Sequence, residues 1–414
     1  MEIIQIVPRL PPVTDGVGEY AFLLAKQLRT AHDIHTVFVV CDQAWENVES
    51  GKLKSQSEDG QSQIKEPSSI NYQPSTVLDG FPIYQLRERT AEHLFRVLSQ
   101  PGMPPTVLLQ YVGYGYDKRG CPLWLVRGLY ELKSRKRKAE NGKHKHISQF
   151  SLPTLAFHPE RRLLTMFHEL YASGPLWTSV FWTSPLQKWI AKHLLNTSDS
   201  CCTTTKNFAD TLQRMSSGHF DRVPSFPVFS NVGEPEHVLP LERRKRQMVV
   251  FGSAIWRKRI YEEHVKALTH ACHILQVEKI VDVGEPTQLK INLTLPLEEM
   301  GRQPAPIISR WLAESMAGFL TYFDDSLAKS GVFAAYCAHA VLPVLACHSA
   351  SDSDGITADS EYVAALDVQE HITEAEMQTV ANNAIAWYRK HSLQETAMNT
   401  AMLLLQYQPT ALDM

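Results

Sequence analysis

The order of elements over residues 2–40 constrains the fold more than any other feature of this sequence. Residues 2–7, Glu-Ile-Ile-Gln-Ile-Val, form a short apolar strand pattern, and a loop rich in proline and glycine follows at residues 8–18. Tyrosine and leucine recur at helical spacing over residues 19–28, and the β-branched run at residues 36–40 is typical of a buried strand. A strand, a helix and a parallel strand form a βαβ unit, so the sequence predicts a parallel α/β sheet.

The same order of elements starts again in the second half of the chain. Residues 248–251 form an apolar strand pattern, residues 252–257 a loop, residues 260–276 a helix and residues 279–283 another strand. Two successive α/β halves of similar size are therefore predicted. Further predicted strands lie at residues 106–109, 163–167, 318–322 and 342–346, and further predicted helices at residues 330–340 and 373–405.

A segment without periodicity separates the two halves. Residues 222–240 contain four prolines, a composition typical of a linker. The 414 residues are enough for two domains, at roughly 100–200 residues each. We expect an N-terminal domain at residues 1–235 and a C-terminal domain at residues 236–414, with the last helices packing back on the N-terminal domain.

Charge and cysteine content narrow the class of protein. The 41 Lys and Arg against 44 Asp and Glu give a formal net charge of -3, which argues against a nucleic-acid partner held by bulk positive charge. The seven cysteines are odd in number, form no CxxC unit and follow no secretory signal, as expected in a reducing cytoplasm. No apolar run reaches the ~20 residues of a spanning helix, so we expect a cytoplasmic protein, at most peripheral to a membrane.

Two stretches of the sequence do not have the apolar composition of a buried core. Residues 47–76 are polar and nearly free of large apolar side chains, which predicts an exposed insertion. Residues 133–146 form a strongly basic run. This run is either a solvated loop or a contact for anionic lipid head groups or an acidic acceptor.

Glycines follow the first predicted strand and open the first predicted helix. Gly16 and Gly18 flank Val17, and a helix N-terminus next to them offers unpaired amides to an anion. The third glycine of the dinucleotide fingerprint is missing. The pattern fits a cleft loop or a tight structural turn.

A histidine and a glutamate follow the predicted strand at residues 163–167. Ligands in open α/β sheets bind at the carboxyl ends of strands, which makes His168 and Glu169 candidate site residues. A zinc protease is excluded because no second histidine follows at helical spacing. The alternative is a hydrogen-bonded core pair. We expect no metal site, since Asp324 and Asp325 lack a third ligand and suit a cap or a solvated loop.

The second half of the chain carries two candidate anion sites. Three consecutive cations, Arg257, Lys258 and Arg259, follow the glycine turn of Gly252 and Ser253, where they would stabilise a departing diphosphate without a metal. The alternative is a solvated basic turn. Lys329, Ser330 and Gly331 precede an alanine-rich helix whose N-terminal amides suit a phosphate, although a simple loop-to-helix turn also explains them.

These positions together resemble the retaining group-one glycosyltransferases of the GT-B fold. The resemblance covers the chain in motif order, outside the polar insertion and the basic run. It rests on residues 8–28, 110–122, 167–171, 230–233 and 331–343. It implies two Rossmann-like domains facing a cleft, with the acceptor on the N-terminal domain and a nucleoside-diphosphate sugar on the C-terminal domain. It also implies catalysis without a metal or another cofactor.

The resemblance implies a role for each candidate. His168, Lys258 and Arg257 would be catalytic. Gly16, Val17, Gly18 and Glu169 would line the cleft. The donor would bind Gly252, Ser253, Lys329, Ser330, Gly331 and Tyr336.

The chain also departs from this family. Ser253 stands where an arginine is usual, and the two family glutamates fall on Ala328 and Tyr336. Two alternatives therefore remain: a non-catalytic GT-B protein that binds a nucleotide or a partner, and a sugar-nucleotide epimerase.

Overall fold

The computed structural model describes residues 1–13, 15–45, 74–140, 161–289, 293–346, 352–368 and 372–405. Nearly all of the predicted polar insertion and the end of the basic run lie outside these residues. None of the helices in the described ranges is long and apolar enough to cross a membrane.

The chain divides into two compact units. The first comprises the described residues within Met1–Thr203, Asn207–Ser225 and Ala397–Met414, and the second those within Thr204–Lys206 and Phe226–Thr396. The last described helix thus contributes to the first unit, where the Leu404 carbonyl accepts a hydrogen bond from Arg162 Nη1 at 2.7 Å. The domain boundary expected at residue 235 stays a prediction, and the units divide between Ser225 and Phe226.

The first unit contains a seven-stranded sheet. Its strands are β1 (Glu2–Val7), β2 (His35–Val40), β3 (Thr76–Leu78), β4 (Phe81–Gln85), β5 (Thr106–Tyr111), β6 (Arg162–Phe167) and β7 (Ser200–Thr203). Their order across the sheet is β3-β4-β2-β1-β5-β6-β7. All neighbours are parallel except the β3–β4 pair. Without β3 this is the Rossmann order 3-2-1-4-5-6.

Helices cover both faces of this sheet. They are α1 (Gly16–His32), α2 (Ala91–Leu98), α3 (Gly113–Tyr116), α4 (Leu123–Glu140), α5 (Ser179–Thr197) and α6 (Lys206–Met215). Four of the six residues of strand β1 are apolar because both faces of the strand are buried, whereas Glu2 is exposed and Gln5 is a buried polar residue. Ile4 and Ile6 belong to one core cluster, and Val7 belongs to another with Ala21 and Ala25 of α1.

The second unit contains a six-stranded parallel sheet. Its strands are β8 (Lys245–Phe251), β9 (Lys279–Val283), β10 (Leu297–Glu299), β11 (Ser315–Leu320), β12 (Leu342–Leu345) and β13 (Val363–Ala364). The order β10-β9-β8-β11-β12-β13 is again 3-2-1-4-5-6 in the sequence of this unit. Both halves of the α/β prediction are thereby confirmed as Rossmann-like.

The helices of the second unit follow its strands in the usual alternation. They are α7 (Ala254–Glu263), α8 (Val265–Ile274), α9 (Ala305–Glu314), α10 (Gly331–Ala338) and α11 (Glu374–Arg389), with 3-10 turns at Leu241–Arg243 and Asp324–Lys329. The last helix, α12 (Leu393–Leu405), begins in this unit and belongs to the first unit from Ala397 onward. Thr373 and Glu376 form a capping box at the start of α11, which satisfies amides that the helix itself leaves unpaired.

Three predicted elements were wrong, each for a physical reason. The loop expected at residues 252–257 is mostly helix, because α7 starts at Ala254 and one of its buried residues is Arg257. The helix expected at residues 260–276 is broken at His264, whose φ of -121° and ψ of 16° are not helical. The basic run begins inside α4, because this helix, whose buried apolar residues include Leu125, Leu129 and Leu132, continues to Glu140.

Candidate functional site

The candidate residues of the first unit lie near the carboxyl ends of three central strands. Strands β1, β5 and β6 end at Val7, Tyr111 and Phe167. A Cβ on Gly115 would lie 2.7 Å from Cγ of Pro8, so the loop after β1 and the helix after β5 are in contact. This edge is where open α/β sheets bind ligands.

Glycine at position 18 allows the loop after β1 to pass against α1. A Cβ there would overlap the carbonyl oxygen of Arg9, whereas a Cβ on Gly16 would meet no described atom within 4 Å. Asp15 precedes the helix at its N-cap position. Burial raises the pKa of the Asp15 carboxyl, and the charge of Arg9 and the amides of Val17 and Gly18 oppose that shift. The predicted glycine loop therefore holds an acidic side chain at its base.

The two glycines provide a matched test of this close approach. We expect Gly18→Ala to lower the free energy of unfolding of the first unit by about 1–3 kcal/mol, because the added methyl displaces the Arg9 backbone. Gly16→Ala should leave it within about 0.5 kcal/mol, as at other unconstrained surface sites. Urea unfolding of both variants measures the difference. Equal stabilities would contradict the close approach of the loop to α1.

His168 lies directly after β6 and is buried, with 6% of its surface exposed. Its Nε2 is 2.8 Å from Oε1 of Gln110, and the Tyr20 ring packs edge-on against it at 4.9 Å. Gln110 Nε2 donates to Gln5 Oε1 (3.0 Å), and Gln5 Nε2 donates to Thr36 Oγ1 (3.3 Å). Because the amide nitrogen of Gln110 is engaged, its oxygen accepts from Nε2 of His168.

His168 is therefore held in one orientation by a chain of polar side chains that crosses four neighbouring strands. Glu169, the next residue, is exposed, and Val17 is half-buried. The sequence prediction placed His168 correctly at a strand end but did not identify Gln5 or Gln110 as its support.

In the second unit, the glycine turn after β8 contacts the start of α10. Gly252 has φ of 123°, a conformation that favours glycine, and a Cβ there would lie 3.0 Å from Cγ2 of Val332. Ser330 caps α10 by accepting from the Phe333 amide at 3.2 Å. The structure thus brings together Gly252, Ser253, Ser330 and Gly331, which the sequence assigned to one site.

Asn231 joins this group although the sequence did not assign it to the site. A Cβ on Gly331 would lie 3.7 Å from Oδ1 of Asn231. The Asn231 segment is held by its neighbours, since the Ser230 amide donates to the Tyr388 hydroxyl at 2.9 Å. The sequence signal that could have pointed to Asn231 is its place in the Ser-Asn-Val-Gly segment at residues 230–233, one of the segments on which the family resemblance rests.

Lys258 lies on the helix that follows the glycine turn. It lies on the first half of α7, is half-buried and makes no ion pair with any residue that the structure describes. Lys329 is also half-buried, in the 3-10 turn before α10. These are the two lysines that the sequence assigned to the donor side.

Arg257 does not have the role that the sequence suggested. It is fully buried, its Nη1 and Nη2 bind the Asp282 carboxylate and the Glu285 carbonyl, and its Nε donates to the Gly252 carbonyl at 3.1 Å. Tyr261 donates to the other oxygen of Asp282 at 2.5 Å. The prediction of a ligand-facing cation here was wrong, because helix α7 turns this side chain into the core.

The Asp282 carboxyl is the acidic centre of this buried network. Burial raises its pKa, and the hydrogen bond from Tyr261 and the charge of Arg257 oppose that shift. Every donor of the network ends on a described acceptor, as buried polar groups require. The network supports the Gly252 turn from inside the unit.

Tyr336 is not a donor-binding residue either. It is fully buried, its hydroxyl donates to the carbonyls of Val249 (2.9 Å) and Phe319 (3.0 Å), and its ring packs on Gly318. Ala328, at the other family glutamate position, is buried, and its carbonyl accepts from the Val228 amide at 2.9 Å. Both positions therefore serve the core of the second unit.

A metal-binding cluster is not evident in the described ranges. No three His, Cys, Asp or Glu side chains there are grouped as ligands. The cysteines in these ranges are free thiols, five of them buried.

Comparisons with known proteins bear on the fold. No protein-family model and no curated protein sequence matches the chain. Solved structures that it resembles include an alpha,alpha-trehalose 6-phosphate synthase from Burkholderia multivorans, with TM-score 0.56, 12% identity and 98% of each chain covered. TarM has TM-score 0.56 and 12% identity, with 98% of this chain and 99% of TarM covered.

A third similar structure contains ligands. It is an alpha-glucosyltransferase in complex with UDP and a 13-mer DNA, with TM-score 0.52, 8% identity, and 98% of this chain and 100% of that chain covered. Similarity along the whole length agrees with two Rossmann-ordered sheets in one chain. The chain therefore has the GT-B fold of these glycosyltransferases.

Proposed function

We propose that the protein transfers a sugar from a nucleoside-diphosphate sugar to an acceptor. The observation that carries the proposal is the contact between the Gly252 turn and the start of α10. Lys258 lies on the helix that follows this turn and is half-buried. Backbone amides at a helix N-terminus and a lysine that lacks a carboxylate partner in the described chain suit a diphosphate. The UDP held by a protein of the same fold supports this assignment.

Departure of the diphosphate is the step that these groups would assist. Negative charge develops on the leaving phosphate, and Lys258 and the N-terminal end of α10 stabilise it by charge and dipole. Arg257 takes no direct part, since its guanidinium is bound within the core, but it holds the Gly252 carbonyl. No metal is required by this scheme.

Retention of configuration at the anomeric carbon of the transferred sugar follows from the same scheme. The acceptor attacks from the side of the leaving group, and a donor phosphate oxygen takes the acceptor proton. A pair of protein carboxylates of the glycosidase kind is then unnecessary. On the first unit, His168 and the loop of Gly16–Gly18 with Asp15 are the residues proposed for contacts to the sugar and the acceptor.

A second candidate is a nucleotide-binding or partner-binding protein without catalysis. Tyr336 and Ala328 favour it, because both family glutamate positions are built into the core. The acceptor class is open in either case. The expectation that nucleic acid is not a partner rests on net charge alone, and one similar structure contains DNA.

Thermal unfolding with a panel of nucleoside diphosphates and nucleotide sugars tests the donor site. A nucleotide present at a hundredfold excess over its Kd should stabilise the wild type by about 2.7 kcal/mol. Lys258→Ala should lose this effect. Lys266→Ala, which removes an exposed lysine from the next helix, should keep it. If no member of the panel stabilises the wild type, the donor site is wrong.

Turnover separates the two candidate functions. A transferase should release the nucleoside diphosphate from the stabilising nucleotide sugar, slowly to water and faster with an acceptor. Loss of the lysine should lower this rate by about 10²–10³-fold, the usual effect of removing one group that stabilises developing charge. Binding without any release, for every nucleotide sugar and acceptor tried, would favour the non-catalytic candidate.

A further inference from the structure

Helix α5 and the segment before it expose large apolar side chains in the first unit. Trp177 is 85% exposed and Trp182 is 74% exposed. We call the following set the aromatic surface: Leu176, Trp177, Phe181, Trp182, Leu186 and Trp189, all of them exposed. Trp182, Leu186 and Trp189 are spaced i, i+4 and i+7 along α5, which puts them on one side of the helix. Large exposed apolar side chains grouped in this way are typical of an interaction site.

The aromatic surface is held rigidly by the opposite face of α5. That face is buried and contains Gln187, Ile190 and Leu194. Gln187 Nε2 donates to the Arg119 carbonyl (2.8 Å) and the Tyr114 hydroxyl (3.1 Å), and its Oε1 accepts from the Ala172 amide (2.8 Å). The helix, the preceding segment and the loop before α4 are therefore tied together.

The charged residues of α5 and of the segment before it are positive. The sequence between Glu169 and Asp199 contains no acidic residue, and Lys188 and Lys192 are exposed on α5. Lys118 and Arg119 are exposed in the loop that Gln187 holds. Helix α4, which packs against α5, ends in the basic run of the sequence.

Tryptophan and lysine without a carboxylate over residues 170–198 favour one class of partner over others. Tryptophan concentrates at the level of lipid head groups because its ring is apolar and its N–H is polar. Basic residues beside an apolar helix face add attraction to anionic lipids. A helix that lies on the bilayer also needs no span, and the described chain has none.

We propose that the aromatic surface docks on a membrane that contains anionic lipids. Helix α5 lies in the plane of the head groups, Trp177, Trp182 and Trp189 enter the lipid–water boundary, and Lys188 and Lys192 contact lipid phosphates. A lipid contact was one of the two alternatives for the basic run, and this proposal places such a contact on α5. This inference is independent of the proposed donor site.

Vesicle co-sedimentation of the full chain tests the docking. The protein should sediment with phosphatidylcholine vesicles that contain phosphatidylglycerol and remain in solution with pure phosphatidylcholine. The double variant Trp177→Ala/Trp182→Ala should lower the partition coefficient by about tenfold or more, given the apolar area that two tryptophans bury. Lys188→Glu/Lys192→Glu should lower it by a similar factor and remove the preference for anionic vesicles.

The matched control removes exposed apolar side chains from the other unit. Leu239→Ala/Leu366→Ala should sediment with vesicles like the wild type, since both leucines are exposed in the second unit. Circular dichroism should show the same melting for all variants. A folded wild type that fails to bind anionic vesicles, or a tryptophan variant that binds them unchanged, would overturn the proposal. So would a wild type that self-associates without vesicles and becomes monomeric in the tryptophan variant.

Discussion

Arg257→Leu should lower the free energy of unfolding of the second unit by about 3–5 kcal/mol, the usual cost of leaving one partner of a buried ion pair alone. The Asp282 carboxylate would then keep only the Tyr261 hydroxyl as a described donor. The carbonyls of Gly252 and Glu285 would lose their donor as well. Urea unfolding followed by tryptophan fluorescence measures the loss, because Trp256 and Trp311 lie in this unit.

Two further variants separate the ion pair from the basic turn. Arg257→Leu/Asp282→Asn should recover a large part of the lost stability, because no buried charge is left without a partner. Lys258→Ala should change the stability by less than about 0.5 kcal/mol, as expected of a partly exposed lysine without an ion pair. An Arg257→Leu protein of unchanged stability that has lost only nucleotide binding would restore the ligand-facing role that the sequence suggested.

Tyr336→Glu should prevent stable folding of the second unit or cost about 4 kcal/mol or more. The substitution restores a glutamate at a family position, but it places a carboxylate where the tyrosine is fully buried between β8, β11 and α10. Burial of an unpaired charge is among the largest single costs in proteins. Expression yield, circular dichroism and urea unfolding of the second unit measure the effect.

The matched control keeps the ring and removes only the hydroxyl. Tyr336→Phe should cost about 1–2 kcal/mol, because two carbonyls lose one shared donor while the packing on Gly318 remains. If Tyr336→Glu folds normally and binds nucleotides more tightly than the wild type, the residue faces the ligand and its assignment to the core is wrong.

Most of the strand framework was predictable because it depends on local signals. Strands β1 and β9 matched their predicted residues, since short apolar runs between loops are typical of buried parallel strands. Helix α5 was not predicted, because its local sequence pattern gives no clear helical signal. It carries Trp182 and Leu186 on the outside as well as Ile190 on the inside, so its apolar residues show no single periodic face.

The residues of the candidate site were predictable only where backbone geometry requires a particular residue type, such as glycine. Position 18 requires glycine because α1 passes close to the Arg9 carbonyl, and position 252 favours glycine because its φ is positive. Both glycines follow strands that the sequence located. Arg257 could not be assigned correctly, because its partner Asp282 lies on another strand and three consecutive cations suggest a surface turn. The burial of Tyr336 likewise depends on strands far away in sequence.

The hydrogen bond from Arg257 to the Gly252 carbonyl also sets the direction of a whole peptide group. In a planar trans peptide the C=O and N–H bonds point in opposite directions. Since the guanidinium draws this carbonyl inward, the N–H of Ser253 points outward, next to an exposed side chain. An arginine with no accessible atom thereby decides which way a surface amide dipole faces, so a substitution in the core can change the amides that the proposed donor site presents.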